Sequence, residues 1–263
     1  MSLINDSAVK DARALSLINY AKGGGAETPT KNVHDIGIAG SSKPKHWEYG
    51  VVLDGCNFTN VDRLSFNGSN SLEGTAILIK GIMNQVDNYI NQLRVTEANN
   101  GILVEGNTEG VYINQITMIA VRNGIYWNTN SFEPFLSVSN SHINSVVNGI
   151  LAKNLLQAII TGNLFYQHNR IKDKKSEWSA IKIDGKRSTY FDLTVISNNV
   201  IHGFDKSSTK LIGINLQKRQ NSIITNNIIF RTHVGILGKE TRNISVNNNS
   251  FAEVDQNIIR PNQ

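Results

Sequence analysis

The sequence predicts an all-β chain wound into a single-stranded right-handed parallel β-helix, a solenoid of about nine turns opened by an N-terminal capping helix. Three observations lead there. A short phrase repeats at nearly constant spacing, like residues fall at fixed places within it, and the composition favours short strands joined by tight bends.

The phrase is a small residue, an apolar run and a polar residue. It reads Gly50-Val51-Val52-Leu53-Asp54, Ala76-Ile77-Leu78-Ile79-Lys80, Gly101-Ile102-Leu103-Val104-Glu105, Gly124-Ile125-Tyr126-Trp127-Asn128 and Gly149-Ile150-Leu151-Ala152-Lys153. It continues as Ala180-Ile181-Lys182-Ile183-Asp184, Gly213-Ile214-Asn215-Leu216-Gln217 and Gly235-Ile236-Leu237-Gly238-Lys239, with a truncated copy at Asn257-Ile258-Ile259. The spacings are 26, 25, 23, 25, 31, 33, 22 and 22 residues. Such a period is too short for a pair of helices and suits one coil of a β-helix. A second phrase lies between the copies, as in Ile160-Thr161-Gly162-Asn163-Leu164-Phe165 and Ile224-Thr225-Asn226-Asn227-Ile228-Ile229. Two short strands with an Asn at the bend produce it, and stacked Asn side chains can hydrogen-bond along the axis.

Strand side chains alternate between faces, so the columns assign direction. Val51, Ile77, Ile102, Ile125, Ile150, Ile181, Ile214 and Ile236 point inward. So do Leu53, Ile79, Val104, Trp127, Ala152, Ile183, Leu216 and Gly238, with bulky Trp127 beside small Ala152 as dense packing requires. Outward, Asp54, Lys80, Glu105, Asn128, Lys153, Asp184, Gln217 and Lys239 mostly avoid like charges in succession. The remaining outward column begins Val52, Leu78, Leu103, Tyr126 and Leu151, an apolar stripe of the kind that marks an interface. A homotrimer is the expected assembly through it, with the N-terminal segment as the other candidate cover.

The chain of 263 residues contains 35 Asn, only 4 Pro and a net charge of +5. Asn tolerates the left-handed backbone of a corner. No basic run interleaves with aromatics, so nucleic-acid binding is not expected. The lone Cys56 excludes a disulfide framework and a Cys-based metal site, and the scattered His34, His46, His142 and His233 lack metal-ligand spacing. Neither a metal nor a cofactor is expected. No run approaches 18 apolar residues, so no membrane span is expected. The first residues lack the basic and apolar regions of a signal peptide. Residues 7–20 have an amphipathic pattern, capped at Asp6 or Ser7, and are expected to form a helix over the open end of the core. The expected division is a capping helix and loop over 1–46 and the solenoid over 47–263.

This repeat texture, over residues 50–260, resembles the pectin-lyase-like superfamily of right-handed β-helices. With its Asn-rich coils and no visible signal peptide it is similar to bacteriophage tailspike and tail-fibre domains. That resemblance implies binding or cleavage of a bacterial surface polysaccharide, a trimer, and a virion or extracellular location. Of the polygalacturonase motifs only Arg170-Ile171-Lys172 is present.

Candidate site residues lie where the spacing lengthens, since function tends to sit on loops held by a rigid scaffold. Segments 166–178, 185–190 and 202–210 would wall a cleft floored by Lys182, Asp184, Asn215, Gln217 and Arg219. Glycoside hydrolysis needs two carboxylates about 5 to 9.5 Å apart, which Asp184 with Glu177 or Asp205 would supply. A lyase would use His168, His202 or Lys182 as base. Trp178 and Tyr190 would stack on sugar rings. The competing reading is a non-catalytic structural or receptor-binding shaft.

Overall fold

The computed structural model describes residues 2–5, 12–18, 31–40, 47–68, 71–81, 85–129, 134–169, 177–185, 192–207 and 209–260. They form a right-handed parallel β-solenoid of about eight turns, with no helix among the described residues. Each coil has three faces, and in the later coils three separate strands form them, whereas Thr117–Thr129 and His142–Lys153 each run through two faces. In one later coil the strands are Gln157–Thr161, Leu164–Gln167 and Glu177–Asp184, and in the next Leu193–Ser197, Val200–His202 and Lys210–Gln217. Corresponding strands pair in parallel from coil to coil, making a second, a third and a first face in chain order.

The repeat phrase is the first face. Its register aligns Ile125 with Ile150, Ile150 with Ile181, and Ile181 with Ile214. Every predicted inward residue from Val51 to Leu216 is fully buried, Trp127 included. The Trp127 indole donates a 3.0 Å hydrogen bond to Thr129. The small residue opening each phrase sits at a skip in the register, where coils approach closely. A Cβ on Gly149 would stand 2.4 Å from the Ala180 carbonyl oxygen. On the outer side Asp54 and Lys80 are register partners and pair at 3.4 Å.

The predicted N-terminal helix is overturned for its described part, the rest of 7–20 lying outside the described residues. Arg13–Ile18 is a strand that pairs with Tyr49–Asp54, setting Leu15 on Val51 and Leu17 on Leu53. The segment carries both periodicities, and two leucines two residues apart extend the inward columns. Stacking in the sheet overrides the helix preference of Ala and Leu. Ser2–Asn5 pairs with Lys31–Gly40, which pairs with Thr59–Asn67. The strands described within residues 1–46 therefore join the same stacks as those after 47.

The outward stripe is partly covered within the single chain. Val52 is fully buried and Leu78 nearly so, while Leu103, Tyr126 and Leu151 are half-buried. Lys153 reaches over the Tyr126 ring and donates to its hydroxyl at 3.0 Å.

Candidate functional site

Nearly half of the predicted cleft walls, 170–176, 186–190 and Ser208, lies outside the described residues, and Tyr190 with it. The described candidates divide between two corners of the solenoid. Glu177 opens its strand at the corner between the third and first faces, and Asp184 closes it at the far edge of the first face. At ~3.3 Å per residue, the run from Ser179 to Asp184 alone covers about 16 Å. Asp184 and Glu177 are thus too far apart for a hydrolytic pair. Asp184 stands instead against Lys153 and Gln217 in the register.

Glu177, Asp205, His168 and His202 all lie where the chain passes from the third face to the first. Gln167, buried at the end of its strand, accepts the backbone N–H groups of Phe204 and Asp205 at 2.8 and 3.0 Å, which fixes that turn. Asp205 accepts bonds from the Ser207 amide and hydroxyl. The His168 amide donates to the Ser145 carbonyl at 2.7 Å. Lys182 pairs with Glu177 at 3.3 Å. Further along the same corner Lys206 pairs with Asp255, and Arg231 with Glu253 at 3.0 Å.

Three candidates are corrected. Trp178 is fully buried and its indole donates to Ser145 at 3.0 Å, so it is a core residue and no sugar platform. Asn215 is 1% exposed and accepts from the Gln217 amide, so it is closed to a ligand. Arg219 is also buried, at the first–second corner, and it makes no cleft floor. Its guanidinium donates to the Leu155 and Leu156 carbonyls and to the Thr194 hydroxyl, and lies 3.5 Å from the equally buried Asp192. Burial pushes the Asp192 carboxyl above its usual range and Arg219 below its own, with each charge opposing the other's shift. This pair ties three successive coils together. Asp192 has no place in the repeat phrase, and only its lone position before the Leu193–Ser197 strand could have signalled it.

The sequence reasoning also missed an aromatic column beside the third–first corner. Tyr166, His202 and Phe230 are register partners whose rings succeed one another along the axis at 5.0 and 4.9 Å, and His142, the register partner of Leu164, sets its ring 5.6 Å from that of Tyr166 from two positions away. Arg231 lies over the Phe230 ring at 5.2 Å. All four rings are half-buried and outward-facing. Desolvation holds both histidines below the usual imidazole range. The column is visible only once the coils are in register, because Tyr166, His202 and Phe230 lie 36 and 28 residues apart. Among the described residues no cluster of three or more His, Cys, Asp or Glu is placed to hold a metal ion.

No family model matches the sequence, and no curated protein matches it. Solved structures do match in shape. PfbA, a surface adhesin of Streptococcus pneumoniae, superposes with a TM-score of 0.56 at 14% identity, over 98% of this chain and 78% of that one. Tailspike protein 3 of bacteriophage CBA120 superposes with a TM-score of 0.56 at 10% identity, over 100% of this chain and 49% of that one. At these identities the likeness is one of fold, the right-handed parallel β-helix.

Proposed function

We propose that this chain is a polysaccharide-binding β-helix displayed on a virion tail or a bacterial surface, with the glycan lying along the third–first corner. The observation that carries the reading is the column Tyr166, His202 and Phe230 running beside the charged corner of Glu177, Lys182, Asp205 and Arg231. Aromatic rings accept the C–H faces of sugars, and charged groups hydrogen-bond their hydroxyls. The two sets run side by side along the axis, the arrangement an extended polymer needs. The adhesin and tailspike that share the fold support display outside the cell.

The reading is of binding rather than cleavage. Asp184 stands a face away, Glu177 is held by Lys182, and Asp205 is occupied by Ser207. Hydrolysis is the second reading, favoured by one fact, that Glu177 and Asp205 share the corner. The test is a panel of bacterial O-antigens and capsules, scored for binding and for reducing ends. Binding that falls at least tenfold in Tyr166→Ala and His202→Ala, without reducing ends, supports the proposal. Reducing ends that disappear in Glu177→Gln and Asp205→Asn would replace it with hydrolysis. Binding untouched by the ring variants would remove the corner as the site. Of the Val52-to-Leu151 stripe, expected to carry a trimer, the first two members are already covered within the single chain.

A further inference from the structure

We infer that the glycan is anionic and that Arg94 holds its carboxylate, phosphate or sulfate at a groove on the outer side of the third face, in the N-terminal coils. The inference rests on the polysaccharide reading. It adds to that reading a second contact region and the charge of the polymer.

The groove follows from small side chains at two outward positions. Ser2, Gly37, Ser65 and Arg94 are register partners on the outer side of the third face, and Ala39, Asn67 and Thr96 form the neighbouring column. Gly37 has no side chain and Ala39 only a methyl, so the surface sinks between the coils of Ser2 and Ser65. The result is a groove of about 460 Å³, the size of a small-ligand site. Its rim is polar, with the Ser65 and Thr96 hydroxyls, the Asn67 amide and the Arg94 guanidinium.

The charge of the face selects the ligand. From Ser2–Asn5 to Ser250–Ala252 the described strand residues of the third face include no Asp or Glu, and Arg94 is their one Lys or Arg. Arg94 is exposed, and its register partners Ser65 and Thr117 are neutral. Among the described residues it makes no ion pair, whereas Arg63 lies against Asp35 and Arg231 against Glu253. An unpaired guanidinium on a face free of carboxylates is the complement of an oxyanion, which it meets with two parallel hydrogen bonds. A neutral sugar offers it no counter-charge.

The groove is also continuous with the aromatic column. Arg94 is in register with Thr117, Thr117 with His142, and His142 with Leu164, two residues before Tyr166. Three steps of ~4.8 Å set Arg94 about 14 Å from the Tyr166 coil along the axis. Sugars stacked on Tyr166 and extended toward the N-terminal coils pass Thr117 and reach Arg94. Burial holds the intervening His142 imidazole below its usual range, which leaves Arg94 as the cation at neutral pH.

The test uses the whole chain and those capsules and O-antigens of the panel that it binds. These are expected to be anionic. Arg94→Gln should weaken binding at least tenfold and flatten its salt dependence, and Arg94→Lys should recover part of the loss. Ala39→Trp, which fills the groove, should weaken binding with unchanged circular dichroism. Carboxyl-reduced polymer distinguishes the anions. It should bind the wild type as weakly as native polymer binds Arg94→Gln if the anion is a carboxylate, and undiminished if it is a phosphate or sulfate. Neutral polymers among the binders would overturn the inference. So would Arg94→Gln binding like the wild type while Tyr166→Ala does not, a result that leaves the polysaccharide reading standing. Binding untouched by both variants, or absent across the panel, removes that reading and this inference with it.

Discussion

The two halves of the solenoid solve the same corner problem in opposite ways. At the third–first corner of the N-terminal coils, Asn148 donates to Asn123 at 2.9 Å, Asn123 to Asn100 at 3.1 Å, and Asn100 to Thr75 at 3.2 Å. Their second–third corner is apolar, with Leu64, Leu93 and Ile116 buried just after left-handed residues Arg63, Gln92 and Gln115. In the C-terminal coils the assignment reverses. Asn163, Asn199 and Asn227, all buried, continue to the partly buried Asn249 in an amide ladder at the second–third corner, with links of 3.0, 2.9 and 2.9 Å. The third–first corner becomes apolar at Ile212 and Val234. The difference teaches that a buried amide is tolerated when the coils on both sides carry its partners, so polarity at a corner is set by runs of coils rather than coil by coil. Hydroxyl residues mark the ends of the runs. Thr75 and Ser179 bound one, and Ser141 opens the other.

The C-terminal half also holds the Arg219–Asp192 pair, and removing one partner there should give the largest effect. Arg219→Met leaves a buried carboxylate without its counter-ion and three acceptors without a donor, an expected loss of about 3–5 kcal/mol. The pH dependence has a definite sign. The folded Asp192 pKa already lies above its ordinary value of 3.8, and losing the cation raises it further. The folded state of the variant therefore binds the Asp192 proton more tightly than the unfolded chain does. Its stability from this group is fully present below pH 3.8 and is lost as pH rises through the raised value. Urea melts of variant and wild type at stepped pH should show the stability gap narrowing on acidification. A gap that does not change with pH would show that the pair is not ionised.

A single missing rung comes next. Asn199→Leu removes the acceptor for the Asn163 amide and side chain, both at 3.0 Å, and the donor to the Ile160 carbonyl. Unsatisfied buried groups cost ~1–3 kcal/mol each, so a loss of about 3 kcal/mol is expected. Replacing Asn163, Asn199, Asn227 and Asn249 together by Leu should cost far less than the sum of the four single losses, since partners leave in pairs. Additive losses would show that each Asn acts only through its own backbone bonds.

The first-face columns were legible because nothing competes with them. One β-branched residue per coil at one position, Val51 through Ile236, is a signal that only a parallel stack explains. The bend Asn residues were legible for the same reason. What stayed hidden depends on register between distant coils. The Tyr166, His202 and Phe230 column follows no motif, and neither does the Asp192–Arg219 pair, whose members are separated by a whole coil. The candidate site was read from spacing, which locates extra chain but not the direction of side chains. That is why Trp178, whose indole turns inward to Ser145, read as a sugar platform. Within the helix expected over 7–20, the described Arg13–Ile18 is a strand instead because Leu15 and Leu17 fit two periods at once.

The reciprocal exchange is milder. Leu93→Asn places an amide at a corner whose neighbours, Leu64 and Ile116, offer no side-chain partner. The expected loss is about 2 kcal/mol, below that of Asn199→Leu, because the new amide strands only itself. A larger loss in chemical denaturation would show that the apolar corner is the more demanding of the two.

The smallest effect tests how a ladder begins. Ser141 donates to the Ser139 carbonyl at 2.7 Å, accepts the Ile116 amide at 3.3 Å, and gives its own N–H to Asn163 at 3.0 Å. Ser141→Ala removes the first two bonds and keeps the third, so about 1 kcal/mol should be lost. Ser141→Asn should cost less than Ala, because Asn163 on one side already presents the acceptor that a rung uses. If Asn is tolerated at 141, where a ladder neighbour exists, but not at 93, where none does, polarity spreads along a corner from an existing rung. If both positions reject Asn equally, Ser141 is a boundary set by the volume of the corner, and the hydrogen bonds follow from the shape rather than determine it.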